Sequence, residues 1–523
     1  MKHTGVNIPL FSLRSTRSWG IGEIPDLVPF ATWLSAAGFD RLMLLPLGTM
    51  RPGESSPYSA SSTVAIDPIF IGIEAVPDFA AAGGVDALST EARQAIAFAR
   101  ASEVVLYDAV RRGKDEALGL AFDHFVRHEW EQLTPRAGLL AGYITQQRWW
   151  LDDYALFQAI AASRSFAGWQ EWPPALRDRE PKAIADLRRQ FARDALRHQY
   201  FQWVAETQWE AARESARACD VKLVGDLPFV AAMDSAEVWA RASDYRLDVS
   251  IGTPPDAFSA EGQDWGLPLY RWDEMARDDF VWWRLRGRRM AALYDGLRVD
   301  HTIGLYRTYG RPRDGEPFFV PSDEPDQIAQ GEAVLRVLAD SGLHLIAEDL
   351  GLVPDFLRVS LAALGIPGCK VLRWEREHNV EGAPFIPPET FAPLSAAMTG
   401  THDTTPLSVW WDEECTPEDQ AAMCALPLFQ ERMQQAGSNS ATAGFSEQWS
   451  PVLRDLLLEL AFRSGSNDLF LPIQDLFGWR DRINVPGTVG PHNWTWTLPW
   501  EVDRLGDIPE AQARQEFLRA LQR

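Results

Sequence analysis

Short apolar runs that end in a turn or an acidic residue recur along the chain, and stretches with helical periodicity separate them. Runs that are apolar on both faces are typical of strands in a parallel sheet covered by helices. Alternation of such strands with helices over 523 residues restricts the fold to a doubly wound sheet or a (β/α)8 barrel. We interpret seven runs as buried strands, at 39–47, 221–226, 296–300, 343–349, 368–374, 396–403 and 467–475.

The segments between these strands predict the rest of the architecture. Amphipathic periodicity indicates helices over 182–219, in two pieces, and over 326–341. The segment 73–178 is rich in helical pattern and poor in strands, so we interpret it as a helical insertion that covers one face. The segment 246–273 is dense in Pro, Gly, aromatic and acidic residues and predicts a long loop. No linker composition divides the chain, and we expect one catalytic domain over 1–523.

Acidic residues stand at or just past the ends of five predicted strands. A single acid there is commonly a helix N-cap. In a barrel, however, the carboxyl ends of the strands are where catalytic residues collect. Five acids at the same end of separate strands therefore predict a ring of carboxylates around one pocket, formed by Asp226, Asp300, Glu348, Asp403 and Asp475.

Charge and composition exclude several classes of partner. The 50 Lys+Arg against 73 Asp+Glu give a net charge of −23, which argues against binding nucleic acid. No stretch of about 18 apolar residues predicts a membrane span. Four cysteines and a start without a signal-peptide pattern favour a cytoplasmic protein. The 22 Trp, most of them expected in the core, fit a cleft in which aromatic rings pack on sugar faces and carboxylates bind hydroxyls.

Other reaction classes lack their residues. No G-x-S-x-G elbow and no G-x-x-x-x-G-K-[ST] loop is present. His124 and His128 lie one helical turn apart, but a solvated helix face explains them better than a metal site, because H-E-x-x-H is absent. We therefore expect neither a metal nor a cofactor. A ring of carboxylates alone suits glycosyl transfer, which needs one acid to protonate the leaving oxygen and one carboxylate at the anomeric carbon.

Nine motifs make the chain resemble a known family. GLRVDHTIG, LIAEDLG and TGTHDT are similar to strands of the α-amylase clan, and the other six resemble glycoside hydrolase family 77, the amylomaltases. The loop PPDAFSAEGQDWGLPLY is the most specific of them, because ordinary amylases lack it. The six motifs lie at 18–22 (SWGIG), 56–62 (SPYSASS), 225–229 (GDLPF, the first clan strand), 254–270, 474–488 (QDLFGWRDRINVPGT) and 493–496 (NWTW).

The resemblance implies a (β/α)8 barrel with helical insertions, a long loop over the carboxyl-terminal face and no separate C-terminal β-sandwich. It implies transfer of α-1,4-glucan segments to glucose or a maltooligosaccharide through a covalent glycosyl-enzyme. Asp300 resembles the nucleophile, Glu348 the general acid/base and Asp403 the third acid, which holds sugar hydroxyls. An amylase-type hydrolase and a catalytically dead glucan-binding protein remain the alternatives.

The same resemblance suggests the residues that bind substrate. Arg298 precedes Asp300 by two positions, so both side chains point to one face of a strand and the guanidinium keeps the aspartate ionised. Thr302, Ile303 and Thr404 depart from the family's common wording, as does Ala257, and they affect only the fine contacts of the sugar subsites. The candidate binding residues are Tyr58, Asp226, Phe258, Gln263, Trp265, Arg298, His301, His402 and Asn484.

Overall fold

Eight of the strands in the structure are parallel and close into a barrel. The computed structural model describes residues 2–255, 261–351, 353–435 and 448–522. The strands in these ranges are β1 (His3–Asn7), β2 (Arg41–Met43), β3 (Gly48–Met50), β4 (Ala60–Ile66), β5 (Lys222–Leu227), β6 (Tyr245–Thr253), β7 (Gln263–Tyr270), β8 (Gly296–Val299), β9 (Thr308–Pro312), β10 (Phe318–Val320), β11 (His344–Ala347), β12 (Gly368–Val371), β13 (Ser395–Met398) and β14 (Asp468–Pro472). The barrel runs β1-β2-β5-β8-β11-β12-β13-β14 and closes on β1, which confirms the predicted (β/α)8 fold.

The barrel strand β1 was not among the seven predicted strands, each of which overlaps one of the others. β1 reads HTGVN and has a single large apolar residue, Val6, so it gives no hydrophobic run. A side chain at Gly5 would lie 2.6 Å from the ring of Phe470, which belongs to the barrel interior. The ring of Phe470 on β14 therefore fills the space that a side chain at Gly5 would occupy. β1 becomes a strand because it pairs with β14 and β2, which are distant in sequence.

The barrel interior is apolar in the middle and becomes charged at the carboxyl ends of the strands. Alternate residues of a strand share one face. Asp226 therefore follows Val224 into the interior, and Arg298, which pairs in register with Asp226, faces it from β8. Below them lies an apolar cluster of Met43, Val224, Ile346, Cys369, Val371, Ala396, Met398 and Phe470.

Helices surround the barrel. They are α1 (Leu27–Ala36), α2 (Pro77–Ala81), α3 (Thr90–Ala101), α4 (Tyr107–Phe125), α5 (Pro135–Ser163), α6 (Pro174–Arg177), α7 (Pro181–Gln190), α8 (Ala192–Ala218), α9 (Ala236–Ala240), α10 (Trp272–Arg277), α11 (Val281–Leu293), α12 (Ile303–Tyr306), α13 (Glu324–Ala339), α14 (Asp355–Leu364), α15 (Leu407–Val409), α16 (Pro417–Cys424), α17 (Pro427–Gln435), α18 (Pro451–Phe462), α19 (Ile473–Phe477) and α20 (Pro509–Leu521). The helix pair α7 and α8 and the helix α13 confirm the predicted helices. Within the described ranges, no helix is both long and apolar enough to cross a bilayer.

The segment 73–178 holds α2 to α6 and no strand. Its longest helix, α5, packs along α8, which leads into the barrel strand β5. Helix α4 packs against α2, α3 and α8. The helical segment therefore packs on α8, the helix that precedes the barrel strand β5.

The segment 246–273, which the sequence predicts as a long loop, contains paired strands. Strands β6 and β7 pair antiparallel within it, and β9 and β10 extend the pair to a four-stranded sheet in the order β10-β9-β6-β7. The Gly and Pro content that indicated a loop has another cause at Gly252, because a side chain there would lie 1.9 Å from the carbonyl oxygen of Gln263 on the partner strand. Close approach of two strands, rather than a loop, demands glycine at that position.

Candidate active site

One arginine holds two aspartates at the carboxyl ends of β5 and β8. Arg298 Nη1 donates to both carboxylate oxygens of Asp226, at 2.9 and 2.7 Å, and to Oδ1 of Asp300 at 2.8 Å. The side chain of Asp226 is buried, whereas that of Asp300 is 24% exposed. Burial raises the pKa of Asp226, although the charge of Arg298 opposes that rise. Asp300 is therefore the carboxylate of the pair that an incoming molecule can reach.

Glu348 lies just past β11 and contacts the turn that carries Asp300. Its Oε2 accepts a hydrogen bond from the backbone N–H of His301 at 2.9 Å, and its Oε1 accepts one from Leu350 at 2.9 Å. Burial and the negative charge of Asp300 raise the pKa of Glu348 to about 7, against the opposing charge of Arg298 and the two N–H donors. Glu348 can therefore give up or accept a proton near neutral pH.

Asp403 follows β13 on a turn that adjoins the same pocket. Asn484 Nδ2 donates to its Oδ1 at 2.7 Å, and Nε2 of His402 lies 3.3 Å from its Oδ2. Arg482 donates to its backbone carbonyl at 2.7 Å. Burial would raise the pKa of Asp403, but the charge and hydrogen bonds of His402 and Asn484 prevail and lower it. Asp403 therefore stays an acceptor for hydroxyl groups.

Aromatic rings form one wall of the pocket. Tyr58 stacks on His402, with ring centroids 5.2 Å apart and planes at 22°, and Trp494 lies 5.8 Å from both rings. The hydroxyl of Tyr58 donates to Asp226 Oδ2 at 2.8 Å. Burial and the nearby Asp226 raise the pKa of Tyr58, so this hydroxyl remains protonated. The ring is thus fixed in place from the β5 side of the site.

The β6–β7 hairpin reaches the site through Trp265. Its ring meets His301 edge-on, with centroids 4.8 Å apart at 82°, and its indole N–H donates to Gln263 Oε1 at 3.1 Å. His301 adopts a left-handed φ of +46°. Burial lowers the pKa of His301 to about 4, so its ring is neutral. Phe258 lies outside the described residues.

Apart from Phe258 and Asp475, the candidate residues form two sets linked by hydrogen bonds, ion pairs and ring contacts, and the peptide bond between Asp300 and His301 joins the two sets into one network. The network runs from the hairpin through His301 to Glu348 and Asp300, then through Arg298 to Asp226 and Tyr58, and on through His402 to Asp403. In chain order its members are Tyr58, Asp226, Gln263, Trp265, Arg298, Asp300, His301, Glu348, His402, Asp403 and Asn484.

The network provides an exposed carboxylate beside an arginine and a second carboxyl that titrates near neutral pH. This pairing is what acid/base-assisted displacement at a glycosidic carbon requires. In the described part of the chain, no group of three or more His, Cys, Asp or Glu is placed to hold a metal ion.

The amino-acid sequence also matches the model of a known protein family. The sequence profile described as 4-alpha-glucanotransferase, of glycoside hydrolase family 77, covers residues 8–502. The chain belongs to this 4-alpha-glucanotransferase family. It is therefore an enzyme of that type.

Similar proteins support the same assignment over the full length. The 4-alpha-glucanotransferase of Chlamydia trachomatis is 31% identical over 99% of this chain and 95% of its own. That of Thermus thermophilus is 30% identical over 95% of this chain and 96% of its own. Among solved structures, the amylomaltase from Streptococcus agalactiae, determined in complex with acarbose, superposes with a TM-score of 0.82 at 26% identity, covering 100% of this chain and 98% of that chain.

Asp475 is one of the five acids predicted to ring the pocket of this 4-alpha-glucanotransferase. In the structure its carboxylate is buried and hydrogen-bonded to other residues of the protein. Its Oδ2 accepts from Thr399 Oγ1 at 2.5 Å and its Oδ1 accepts from the backbone N–H of Leu407 at 2.7 Å. The residue is 1% exposed. Its carboxylate therefore holds the turn after β13 in place by binding Thr399 and the first N–H of α15.

Three residues of the site were not among the candidates from the sequence. Trp494 completes the aromatic wall, Arg482 holds the backbone of Asp403, and Phe229 packs 5.7 Å from the ring of His301. Each lies inside a motif of the 4-alpha-glucanotransferase family that was recognised, in NWTW, in QDLFGWRDRINVPGT and in GDLPF. The motifs were therefore the available signal, and only the contacts distinguish these positions from their neighbours.

Proposed function

We propose that this 4-alpha-glucanotransferase moves a segment of an α-1,4-glucan to the 4-hydroxyl of glucose or a maltooligosaccharide by two successive displacements. The observation that carries the proposal is that Glu348 binds the turn that carries Asp300. Asp300 accepts a hydrogen bond from Arg298, and Glu348, whose pKa is raised to about 7, accepts one from the backbone N–H of His301, the residue after Asp300. We place one reacting carbon between these two groups, with Asp300 as the carboxylate that attacks and Glu348 as the group that carries the proton.

In the first displacement, the carboxylate of Asp300 attacks the anomeric carbon and forms a glycosyl ester. Glu348 gives its proton to the glycosidic oxygen, so the C–O bond breaks and the aglycone sugar leaves with a hydroxyl. Before the attack, Arg298 holds the carboxylate of Asp300 in place through its 2.8 Å hydrogen bond. Two inversions at one carbon give net retention of the α configuration.

In the second displacement, the acceptor 4-hydroxyl attacks the same carbon and Glu348 takes its proton. Glycosylation removes the charge of Asp300, one of the causes that raise the pKa of Glu348. The N–H groups of His301 and Leu350 then stabilise the ionised form of Glu348. The group that was an acid in the first step thereby becomes a base in the second.

The remaining network residues orient the sugar. Ionised Asp403, with its neighbour His402, binds hydroxyls of the donor glucose, and Tyr58 packs on the ring of that glucose. Trp265 on the hairpin packs on the acceptor and excludes water. Asp226 holds Arg298 and Tyr58 in place, and Asn484 holds Asp403. We place the reaction in the cytoplasm, in keeping with four cysteines that form no disulfide.

Incubation with maltotriose tests the proposal. Disproportionation should produce glucose and a ladder of longer maltooligosaccharides while total reducing ends stay constant, because each transfer makes one glycosidic bond for the one it breaks. Asp300→Asn should lower the transfer rate by at least about 10³-fold, since it removes the covalent catalyst. Steady release of reducing ends without longer products would instead identify a hydrolase. A fully active Asp300→Asn enzyme would refute the assigned nucleophile.

A further inference from the structure

The carboxyl group of Asp349, the residue after Glu348, is buried against the next strand of the barrel. Asp349 is 4% exposed. Its Oδ1 accepts a hydrogen bond from the backbone N–H of Cys369 on β12 at 2.7 Å, and its Oδ2 lies 3.4 Å from Nε of Arg358 on α14. Asp349 therefore binds β12, whereas its neighbour Glu348 binds the turn after β8.

Gly368 on β12 leaves the space that this carboxyl group occupies. A Cβ atom added at Gly368 would lie 2.6 Å from Oδ2 and 2.9 Å from Oδ1 of Asp349. Any larger residue at this position would therefore displace the carboxyl group. The φ of Gly368 is outside the left-handed region, so its backbone conformation does not require glycine. The carboxyl group of Asp349 accounts for the glycine instead.

The hydrogen bond between Asp349 and β12 extends a short pairing of strands. β11 pairs with β12 at Ala347 and Gly368, whereas it pairs with β8 along its whole length. The contact with β8 then continues through Glu348, whose backbone N–H donates to the carbonyl of Val299 at 3.1 Å. Asp349 provides the corresponding contact on the β12 side.

Asp349 also lies between Glu348 and one of the N–H groups that Glu348 binds. The backbone N–H of Leu350 donates to Oε1 of Glu348 at 2.9 Å. Because donor and acceptor belong to the residues on either side of Asp349, the position of Asp349 decides whether they meet. Burial raises the pKa of Glu348 and the charge of Asp300 adds to the rise, while the charge of Arg298 and the Leu350 N–H lower that pKa.

We propose that Asp349 is a positioning residue for Glu348. By binding β12 it fixes the turn from Glu348 to Leu350, so that the proton of Glu348 is directed at the glycosidic oxygen. The inference rests on the proposed function, which assigns the acid/base role to Glu348. The charged groups that act on Glu348 are Arg298 and Asp300, and those that act on Asp349 are Arg358 and Lys370.

Asp349→Ala tests the inference, because it removes the acceptor of the Cys369 N–H. It should lower kcat for maltotriose disproportionation by about 10- to 100-fold, since a displacement of about 1 Å in an active site can cost about 10²-fold. Formation of the glycosyl-enzyme from a glucosyl fluoride should keep its rate, because that step needs no proton from Glu348. The alkaline decline of kcat/KM on glucans should move to higher pH, because losing the Leu350 N–H raises the pKa of Glu348. Asp349→Asn keeps an oxygen for the Cys369 N–H and should restore most of the transfer rate.

Gly368→Ala tests the same contact from β12. The added carbon displaces the carboxyl group of Asp349, so this variant should also lose glucan transfer and keep the reaction with the fluoride. Combined with Asp349→Ala it should cause little further loss, because no carboxyl group remains to be displaced. The matched control is Asp468→Ala. Asp468 is 2% exposed and lies 3.1 Å from Nε2 of His344 at the opposite, amino end of the barrel strands, so its loss should lower Tm and leave the ratio of the two rates and the pH profile unchanged.

The outcomes separate this inference from the catalytic proposal. Equal losses with maltotriose and with the fluoride in Asp349→Ala would overturn the positioning role, as would an Asp349→Asn enzyme as slow as Asp349→Ala. If Asp349→Ala does not fold, the ratio of the two rates in Gly368→Ala decides in the same way. A fully active Glu348→Gln enzyme would instead reject the proposed function.

Discussion

At the residue scale, the carboxyls of the candidate site differ in their hydrogen-bond donors, because Arg298 donates to Asp226 and Asp300 whereas two backbone N–H groups donate to Glu348. Arg298 gives all three of its recorded hydrogen bonds to Asp226 and Asp300. Glu348 accepts its hydrogen bonds from two uncharged N–H donors, and desolvation raises its pKa to about 7, so it keeps a proton more readily. The left-handed φ of His301 accompanies the turn that brings one of these N–H groups onto Glu348. Desolvation and the charges around Glu348, rather than its residue type, therefore set its pKa.

This difference predicts a pH dependence that belongs to Glu348. In the proposed mechanism glucan cleavage requires protonated Glu348, so kcat/KM should fall as pH rises through about 7, the value to which burial and Asp300 raise the pKa of Glu348. A glucosyl fluoride needs no proton to release its leaving group, so formation of the glycosyl-enzyme from it should lack this alkaline decline. Glu348→Gln should be nearly inactive on glucans and still form the glycosyl-enzyme from the fluoride. Equal alkaline declines for both donors would contradict the role of Glu348.

The three carboxylates could be predicted from sequence because each follows an apolar run at a strand end. The same signal was wrong for Asp475, since only the folded turn shows that Thr399 and Leu407 take up both of its oxygens. Trp494 is distant from Tyr58 in sequence but contacts it in the fold. A sequence motif does not show which of its residues makes such a contact. Sequence patterns therefore predict where a residue lies in an element, but they do not predict which residues it contacts.

At the element scale, β1 shows how neighbours make a strand that its own sequence does not predict. Gly5→Ala should lower the free energy of unfolding by about 1–3 kcal/mol, the usual cost of overpacking, because a Cβ there would lie 2.6 Å from the Phe470 ring and 2.8 Å from Arg41 Cβ. Gly142→Ala is the matched control. It lies within α5 with no atom within 4 Å of the added carbon, and should stabilise by about 0.5–1 kcal/mol. Urea unfolding measures both, and a neutral Gly5→Ala would show that β1 is loosely packed.

The hairpin provides a second prediction at this scale. Trp265→Ala removes the ring that packs on His301, so it should lower transfer to maltooligosaccharides and raise the fraction of hydrolysis several-fold. Water is the competing acceptor, and excluding it depends on covering the intermediate. Trp374→Ala serves as the control, since that tryptophan is 45% exposed and is no part of the network. The ratio of reducing ends formed to glucose released measures the effect. An unchanged ratio would show that Trp265 does not pack on the acceptor sugar.

At the scale of the whole molecule, the helical segment and the barrel share buried charges. Lys114 of α4 donates to the carbonyls of Ile69 and Ile71, at 2.6 and 2.8 Å, and pairs with Glu23 at 2.7 Å. Glu23 lies just before α1 and also accepts from the N–H of Trp19 at 3.0 Å. Lys114 is 1% and Glu23 3% exposed. The helical content of 73–178 could be predicted from periodicity, but its attachment could not, because Lys114 resembles any other lysine on a helix.

Removing only Lys114 from the Lys114–Glu23 ion pair should lower the free energy of unfolding more than replacing both partners. Lys114→Met leaves Glu23 buried without its cation and should lower the free energy of unfolding by about 3–5 kcal/mol, as expected when one partner of a buried ion pair is lost. Adding Glu23→Gln removes the stranded charge while its amide oxygen can still accept from Trp19, so the double variant should recover part of the loss. Lys182→Met, at an exposed position of α7, should change stability by less than about 0.5 kcal/mol. Urea unfolding followed by circular dichroism gives all three values. A double variant no more stable than Lys114→Met would mean that the carbonyl contacts of Lys114, and not its charge pair, hold the helical segment to the barrel.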